Sequence, residues 1–251
     1  MANAPDRPHR RPGRGRTAVV AVAVAAAGLA GCSDGGPGDA GDGTGTSPVY
    51  VAVGASETVG VGADDPSRQA WTVLFHEQAL PEAAEFVNLG VSGSNTAEAL
   101  AAQVPRAVEL APTLVTVWLN VNDIVDRVAP AQYERQLAET VRRLRRGGRT
   151  KVLVANTPEV DQLPVLARFG GSVTALADQA VDAYNEVTAR VVEREGAVLV
   201  DLHAASERAE RDGRFAELIS ADGFHPSTQG HAEVASLFEA ALESSGGLGT
   251  G

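Results

Sequence analysis

Short apolar runs alternate with longer segments of helical periodicity along most of the chain. The short runs are rich in β-branched residues and occupy residues 48–54, 84–89, 113–119, 151–155 and 197–202. The longer segments repeat apolar residues three and four positions apart, over residues 66–80, 96–110, 130–146, 173–195 and 228–242. This alternation predicts an α/β fold, with a central five-stranded parallel sheet and helices on both faces. Pro105 is expected to divide or kink the second helix.

Small and polar residues follow three of the predicted strands and precede the last predicted helix. They are Ser56 after the first strand, Gly93 after the second, Asn122 after the third, and Asp222 with His225 before the last helix. Each has an ordinary structural explanation as a turn or cap residue. Because open parallel sheets bind ligands beyond the carboxyl ends of their strands, the sequence also predicts that these residues meet at one site.

Together these residues supply the groups that acyl transfer requires. Serine is a weak nucleophile that needs a neighbouring base, and histidine accepts a proton near neutral pH. Asp222 precedes His225 by three positions, so one tight turn can direct its carboxylate to the second ring nitrogen. The backbone N–H of Gly93 and the side-chain amide of Asn122 are candidate donors for the oxyanion of the transition state.

The order of Ser56, Gly93, Asn122 and the Asp222-x-x-His225 pair resembles the SGNH hydrolases, also called GDSL lipases and esterases. The resemblance covers essentially the whole predicted domain, from Tyr50 to about Leu242, and implies a three-layer α/β/α, flavodoxin-like fold. It implies that Ser56 is the nucleophile, that His225 is the base and that Asp222 orients the base. The backbone N–H groups of Ser56 and Gly93 and the side chain of Asn122 would form the oxyanion hole. The family needs neither a metal nor an organic cofactor.

Two residues depart from the pattern of that family. Ala55 stands where the family usually has the Asp of Gly-Asp-Ser, so hydrogen bonding in the nucleophile loop must differ. Asn120 stands where the family usually has the Gly of Gly-x-Asn-Asp, and its side chain is expected to narrow the pocket or shift the loop that carries Asn122. The competing Gly-x-Ser-x-Gly pattern of ordinary α/β-hydrolases does not occur in the chain.

Charge and cysteine content restrict the partners and the location. The chain of 251 residues has 32 acidic and 21 basic residues and a formal charge of −11, which argues against nucleic acid as the main partner.

The N-terminus carries five arginines against Asp6, followed by an uncharged apolar run at 17–31 and by Cys32, the only cysteine. This order is typical of a secretory signal and resembles the bacterial lipobox, in which the cysteine receives a lipid. Removal of residues 1–31 changes the charge to −15, since that segment carries +4.

The predicted chain organisation has four parts. A signal peptide at 1–31 precedes a Gly- and Asp-rich tether at 32–47, the folded domain at 48–243 and a flexible tail at 244–251. The domain is expected outside the cytoplasm as a monomer, anchored through lipid on Cys32 to the outer face of the bacterial cell membrane. The alternatives are an ordinary signal or an uncleaved anchor with an incidental cysteine. The Sec and twin-arginine export routes both stay open.

The sequence leaves the reaction and the substrate partly open. The favoured function is a serine esterase or lipase acting on a small-molecule, lipid or carbohydrate ester. An acyltransferase acting on an envelope acceptor and an inactive binding protein are the alternatives. The partly apolar connection at 156–172 is expected either to form an acyl-binding wall or to pack as a structural loop. No spacing indicates a metal site, and His76, His203 and His231 are expected to be structural, with His231 at a cap or on the surface.

Overall fold

The structure is a computed structural model that describes residues 47–160, 162–167, 169 and 171–248. The predicted signal peptide, nearly all of the tether and the predicted lipidation of Cys32 therefore lie outside the described residues. Within the described part of the chain, no helix combines the length and the hydropathy that crossing a bilayer requires.

One parallel sheet forms the centre of the fold. Its strands are β1 (Val49–Gly54), β2 (Glu85–Asn88), β3 (Leu114–Trp118), β4 (Lys151–Ala155) and β5 (Val198–Val200). They are ordered β2-β1-β3-β4-β5, and every neighbouring pair is parallel. This order is that of flavodoxin-like folds, which bind ligands at the switch point between the first and third strands. The predicted class and all five predicted strands are confirmed.

The described residues form ten α-helices that connect the strands. They are α1 (Ser56–Val59), α2 (Pro66–Gln69), α3 (Trp71–Ala79), α4 (Thr96–Glu109), α5 (Val121–Val125), α6 (Pro130–Arg145), α7 (Pro164–Ala167), α8 (Gly171–Glu195), α9 (Leu202–Arg211) and α10 (Thr228–Ser244). Helices α4, α6 and α8 pack on one face of the sheet, and α3 and α10 pack on the other. The result is the predicted three-layer α/β/α arrangement.

Strand alternation divides the core between the two faces of the sheet. In β1, Val51 and Val53 contact the α4, α6 and α8 layer, whereas Tyr50 and Ala52 contact α3 and α10. All five residues of β3 are buried, as the continuous apolar run predicts for a central parallel strand. Because successive side chains of a strand point to opposite faces, one short segment contributes to both cores.

Two predicted helices differ in the structure. The segment 66–80 is broken at Ala70, whose φ of −58° and ψ of 139° are not helical. The break is stabilised by a tertiary contact, because the Trp71 N–H donates to His231 Nδ1 at 3.3 Å. Pro105 does not divide α4, which continues through it. Ala101, the residue whose carbonyl loses its helical partner to Pro105, is exposed, so water can bind that carbonyl.

The charged helix α9 was not predicted. The predicted fifth strand extends to residue 202, whereas β5 ends at Val200 and the helix begins at Leu202. The Asp201 side chain caps this helix by accepting a hydrogen bond from the Ala204 N–H at 3.0 Å. An aspartate before a segment of good helix formers was the available signal.

His231 is not at a cap or on the surface, so that prediction is wrong. The side chain is fully buried in α10. Its Nδ1 accepts the hydrogen bond from the Trp71 N–H, and its Nε2 lies 3.1 Å from the Val61 carbonyl, to which it donates. Burial lowers the pKa of this imidazole from its ordinary value of 6.5. His231 therefore joins three segments of the chain in its neutral form.

Acid is expected to weaken the fold through His231. Because its pKa is lower in the folded chain than in the unfolded chain, the unfolded state binds more protons as the pH falls below about 6.5. Stability is then complete above that pH and is lost progressively below it. Chemical denaturation at pH 7.5 and 5.5 should show a larger drop in the free energy of unfolding for the native chain than for His231→Gln. An equal drop in the two proteins contradicts this role.

Candidate active site

A serine, a histidine and an aspartate form a hydrogen-bonded chain at the carboxyl edge of the sheet. Ser56 begins α1 directly after β1. The Nε2 atom of His225 lies 3.0 Å from Ser56 Oγ, and its Nδ1 atom lies 2.6 Å from Asp222 Oδ2. The structure thus brings together a serine and a histidine that are 169 positions apart. This is the geometry of a nucleophile with an oriented base.

The turn before α10 orients the Asp222 carboxylate. Its Oδ1 accepts hydrogen bonds from the Ser220 hydroxyl at 2.8 Å and from the N–H groups of Phe224 and His225 at 2.8 and 2.9 Å. Partial burial acts to raise the pKa of Asp222, but the hydrogen bonds outweigh it, that of the His225 side chain foremost, and hold the pKa well below its ordinary range. The carboxylate therefore stays ionised opposite the imidazole.

Gly54 and Gln103 fix the strand end that precedes Ser56. A Cβ at Gly54 would lie 1.9 Å from Thr58 Oγ1 and 2.7 Å from the Trp118 carbonyl oxygen, so only glycine fits. The buried Gln103 side chain accepts from the Gly54 N–H at 2.9 Å and donates to the Gly54 carbonyl at 3.0 Å. Sequence reasoning missed Gln103, although a glutamine on the apolar face of a helix is itself a signal for a buried polar contact.

The loop after β2 and helix α5 hold the two other predicted site residues. Asn122 Nδ2 donates to the Ser94 carbonyl at 3.0 Å, so α5 and the loop after β2 are joined directly. Gly93 has a φ of +83°, and a Cβ there would meet no atom within 4 Å. Backbone conformation rather than lack of space therefore requires glycine. An amide has two N–H donors, so Asn122 retains one that can serve a bound oxyanion.

The buried carboxyl of Asp123 also joins α5 to the segment that follows β2. Asp123 Oδ2 accepts from the backbone N–H of Thr96 at 2.9 Å and from its hydroxyl at 2.8 Å. Burial raises the pKa of Asp123, and the Thr96 hydrogen bonds oppose that rise. Asp123 thus connects the start of α4 to α5, next to the residue whose amide faces Ser94. It supports the site without being part of the hydrogen-bonded chain.

The two departures from the family pattern are both buried. Ala55 is fully buried beside Ser56. Asn120 is 1% exposed, and its Nδ2 donates to the Ala155 carbonyl at 3.1 Å, which ties the end of β3 to the end of β4. Asn120 is absent from the described lining of the pocket beside Ser56. Its observed role is therefore to hold the loop that carries Asn122.

A small apolar pocket adjoins the residues of the Ser56–His225–Asp222 hydrogen bonds and has a cavity volume of about 60 Å³. It is lined by Glu57, Trp118, Val121, Pro158, Glu159, Val160, Leu163, Phe215, Ile219, Phe224 and Pro226. Four of these residues belong to the predicted connection at 156–172. Leu163 also packs with Phe215 and Ala209 in a separate apolar cluster. The described part of the connection therefore lines a pocket and packs as a structural loop at the same time.

One group of side chains has the composition of a cation site. Glu159, His203 and Glu207 each place a ligand atom within 4.8 Å of the others. His203 Nε2 lies 3.5 Å from Glu159 Oε1, a distance that an ion pair also explains. Among the described residues, His76 also lies outside the triad; it bonds the Ala84 carbonyl at 2.9 Å and is structural as predicted.

Comparisons with known proteins agree with this fold. The sequence profile of the GDSL-like lipase/acylhydrolase family matches residues 52–233. Esterase TesA of Pseudomonas aeruginosa is 28% identical over 179 residues, which are 70% of this chain and 79% of that protein. The crystal structure of TesA matches with a TM-score of 0.60 at 25% identity and covers 78% of this chain and 98% of that chain.

Other solved structures show the same fold. LAE5, an α/β hydrolase enzyme from the metagenome of Lake Arreo, matches with a TM-score of 0.62 at 26% identity, over 78% of this chain and 95% of that chain. The lipase/acylhydrolase of Enterococcus faecalis matches with a TM-score of 0.64 at 20% identity, over 79% and 96% of the two chains. Fold and comparisons together define a carboxylic ester hydrolase. The chain belongs to the GDSL-like lipase/acylhydrolase family.

Proposed function

We propose that the protein hydrolyses acyl esters through a covalent acyl-enzyme on Ser56. The observation that carries the proposal is the chain of two hydrogen bonds from Ser56 Oγ through His225 to Asp222, at 3.0 and 2.6 Å. A serine hydroxyl needs such a base to become an effective nucleophile. The similarity to a protein named as an esterase supports ester cleavage as the reaction.

The first half-reaction acylates Ser56. Its Oγ attacks the ester carbonyl carbon while His225 Nε2 takes the hydroxyl proton. The ionised Asp222 stabilises the resulting imidazolium, and the N–H groups of Ser56 and Gly93 and the amide of Asn122 donate to the oxyanion. When the tetrahedral intermediate collapses, the imidazolium returns its proton to the leaving alcohol.

The second half-reaction releases the acid. His225 takes a proton from a water molecule, whose oxygen attacks the acyl carbon, and the Ser56–acyl bond then breaks with return of that proton to Ser56 Oγ. The proton transfers between Ser56 and His225 use a hydrogen bond that already exists, and Asp222 already contacts the second ring nitrogen. The sum is hydrolysis of one ester to one alcohol and one acid, with no metal or organic cofactor in any step.

A fluorophosphonate probe and product analysis test this function. The probe should label the folded protein, and peptide mapping should place the label on Ser56. Turnover of 4-nitrophenyl acetate should release one acetate for each nitrophenol, even when a sugar alcohol is present as an acceptor. Failure of the label contradicts the acyl-enzyme, whereas acetylated sugar in place of acetate indicates transfer.

The location is part of the proposal. The arginine-rich start, the apolar run at 17–31 and the single Cys32 support export and lipid attachment to the outer face of the cell membrane. In a bacterial host, the full-length chain should incorporate labelled palmitate and sediment with membranes. The Cys32→Ala chain should incorporate none. Equal labelling of the two chains contradicts attachment at Cys32.

A further inference from the structure

The pocket beside Ser56 contains a carboxyl group that apolar acyl binding does not require. Glu57 follows the nucleophile directly and lines the pocket, although the residue is only 6% exposed. The name of the family spells Gly-Asp-Ser-Leu, and this chain has Glu57 where that name has leucine. Burying a carboxyl group is costly unless it gains a partner. A positively charged ligand group would provide a further partner for this carboxyl.

The pocket lies beside the residues that carry the proposed reacting groups, although its wall is formed by their neighbours. Each element that supplies a triad or predicted oxyanion side chain also supplies a neighbour to the pocket wall. Glu57 adjoins Ser56, Val121 precedes Asn122, and the residues on both sides of His225 line the wall. Burial raises the pKa of the Glu57 carboxyl, whereas its own backbone N–H, His225 and the Ser56 side chain act to lower it. A group held in this pocket is thus part of the substrate that Ser56 attacks.

The remaining walls favour a positive charge. Trp118, Phe215 and Phe224 present aromatic rings, which attract organic cations through their π faces. The described lining residues include no lysine or arginine. The other carboxyl of the lining, Glu159, already faces His203 Nε2 at 3.5 Å. The net charge of −11 adds a field that draws cations toward the protein.

The small cavity limits the size of the group. A volume of about 60 Å³ accommodates only a few non-hydrogen atoms. An ammonium group with small substituents meets this limit. We infer that Glu57 and the aromatic pocket select esters that carry a small organic ammonium group, which the pocket holds while Ser56 attacks the ester. This inference rests on the proposed esterase function.

A pair of esters that differ only in charge tests the selection. Acetylcholine has a trimethylammonium group where 3,3-dimethylbutyl acetate has an uncharged tert-butyl group of nearly the same shape. The native protein should show a kcat/KM for acetylcholine roughly tenfold above that for the neutral ester, as expected for a partly desolvated cation site. In Glu57→Gln, which keeps the shape of the side chain, the ratio of the two values should fall to about one.

A remote carboxyl supplies the matched control. Glu109 is exposed at the end of α4, at the opposite edge of the sheet, and pairs with Arg106 at 2.9 Å. Glu109→Gln removes the same charge from the protein and should keep the native ratio. A second measurement needs no variant of Glu57. Tetramethylammonium chloride should inhibit 4-nitrophenyl acetate turnover competitively, and sodium chloride at equal ionic strength should not.

The outcomes separate this inference from the function on which it rests. If the native protein turns over 4-nitrophenyl acetate but shows no preference for acetylcholine, cation selection is overturned and the esterase stands. A ratio that survives Glu57→Gln, or a lack of inhibition by tetramethylammonium, also overturns it. If no ester is cleaved and the fluorophosphonate does not label Ser56, the esterase function fails, and the inference fails with it.

Discussion

Ser56→Ala is expected to reduce ester turnover by a factor on the order of 10⁶, to the background of the assay. The substitution removes the oxygen that is proposed to form the acyl bond, and among the described residues no other hydroxyl hydrogen-bonds to His225. Because Ser56 begins a helix and is only half-buried, alanine should leave the free energy of unfolding almost unchanged. Turnover of 4-nitrophenyl acetate, together with thermal denaturation, measures both quantities.

A serine elsewhere on the surface provides the comparison for this substitution. Ser236 is exposed on α10, and its hydroxyl donates to the Ala232 carbonyl one helical turn earlier. Ser236→Ala should retain native turnover. Substantial turnover by a folded Ser56→Ala protein would show that another group is the nucleophile.

Asp222→Asn is expected to lower kcat by roughly 10⁴-fold. The asparagine can still accept the N–H hydrogen bonds of the turn through its oxygen. Its amide nitrogen, however, faces His225 Nδ1 and favours the tautomer with the proton on Nε2, opposite Ser56 Oγ. That tautomer cannot accept the serine proton. The loss should appear in kcat rather than in KM, because the substrate does not contact this carboxylate.

Ser220→Ala is the matched control for the aspartate. It removes one of the three hydrogen bonds to Asp222 Oδ1 and leaves the contact with His225 intact. We expect a change of less than about tenfold in kcat. Equal losses in Ser220→Ala and Asp222→Asn would show that the turn as a whole, rather than the charge of Asp222, supports the reaction.

The fold and the triad were predictable because their signals are local. Each strand is a short apolar run that ends near a glycine or a polar residue, and β4 matches its predicted bounds completely. Once the strands are parallel, their carboxyl ends lie at one edge, so Ser56 and Asn122 must share that edge. The Asp222 and His225 pair could be added because three positions fit a single turn.

The parts that were not predicted depend on contacts between distant segments. The break at Ala70 forms because His231, 160 positions from Trp71, accepts the first N–H of α3. Gln103 serves the backbone of Gly54 across 49 positions. The spacing of apolar residues predicts neither the contact between His231 and Trp71 nor the contact between Gln103 and Gly54. Glu57 was overlooked because the residues that bury it line the same pocket and come from four separate parts of the chain.

Because the hydrogen bond between Ser56 and His225 joins the two ends of the domain, ester cleavage is expected only after the C-terminal part of the chain has folded. Ser56, the proposed nucleophile, follows the first strand, whereas His225, the proposed base, comes from a loop just before the last helix. A contact of such long sequence separation closes a large loop, and its entropy is lost only when the C-terminal segment docks. A chain truncated before residue 222 still contains Ser56 but lacks His225, the base proposed to activate it. Ester cleavage therefore reports that the whole domain has been synthesised and folded.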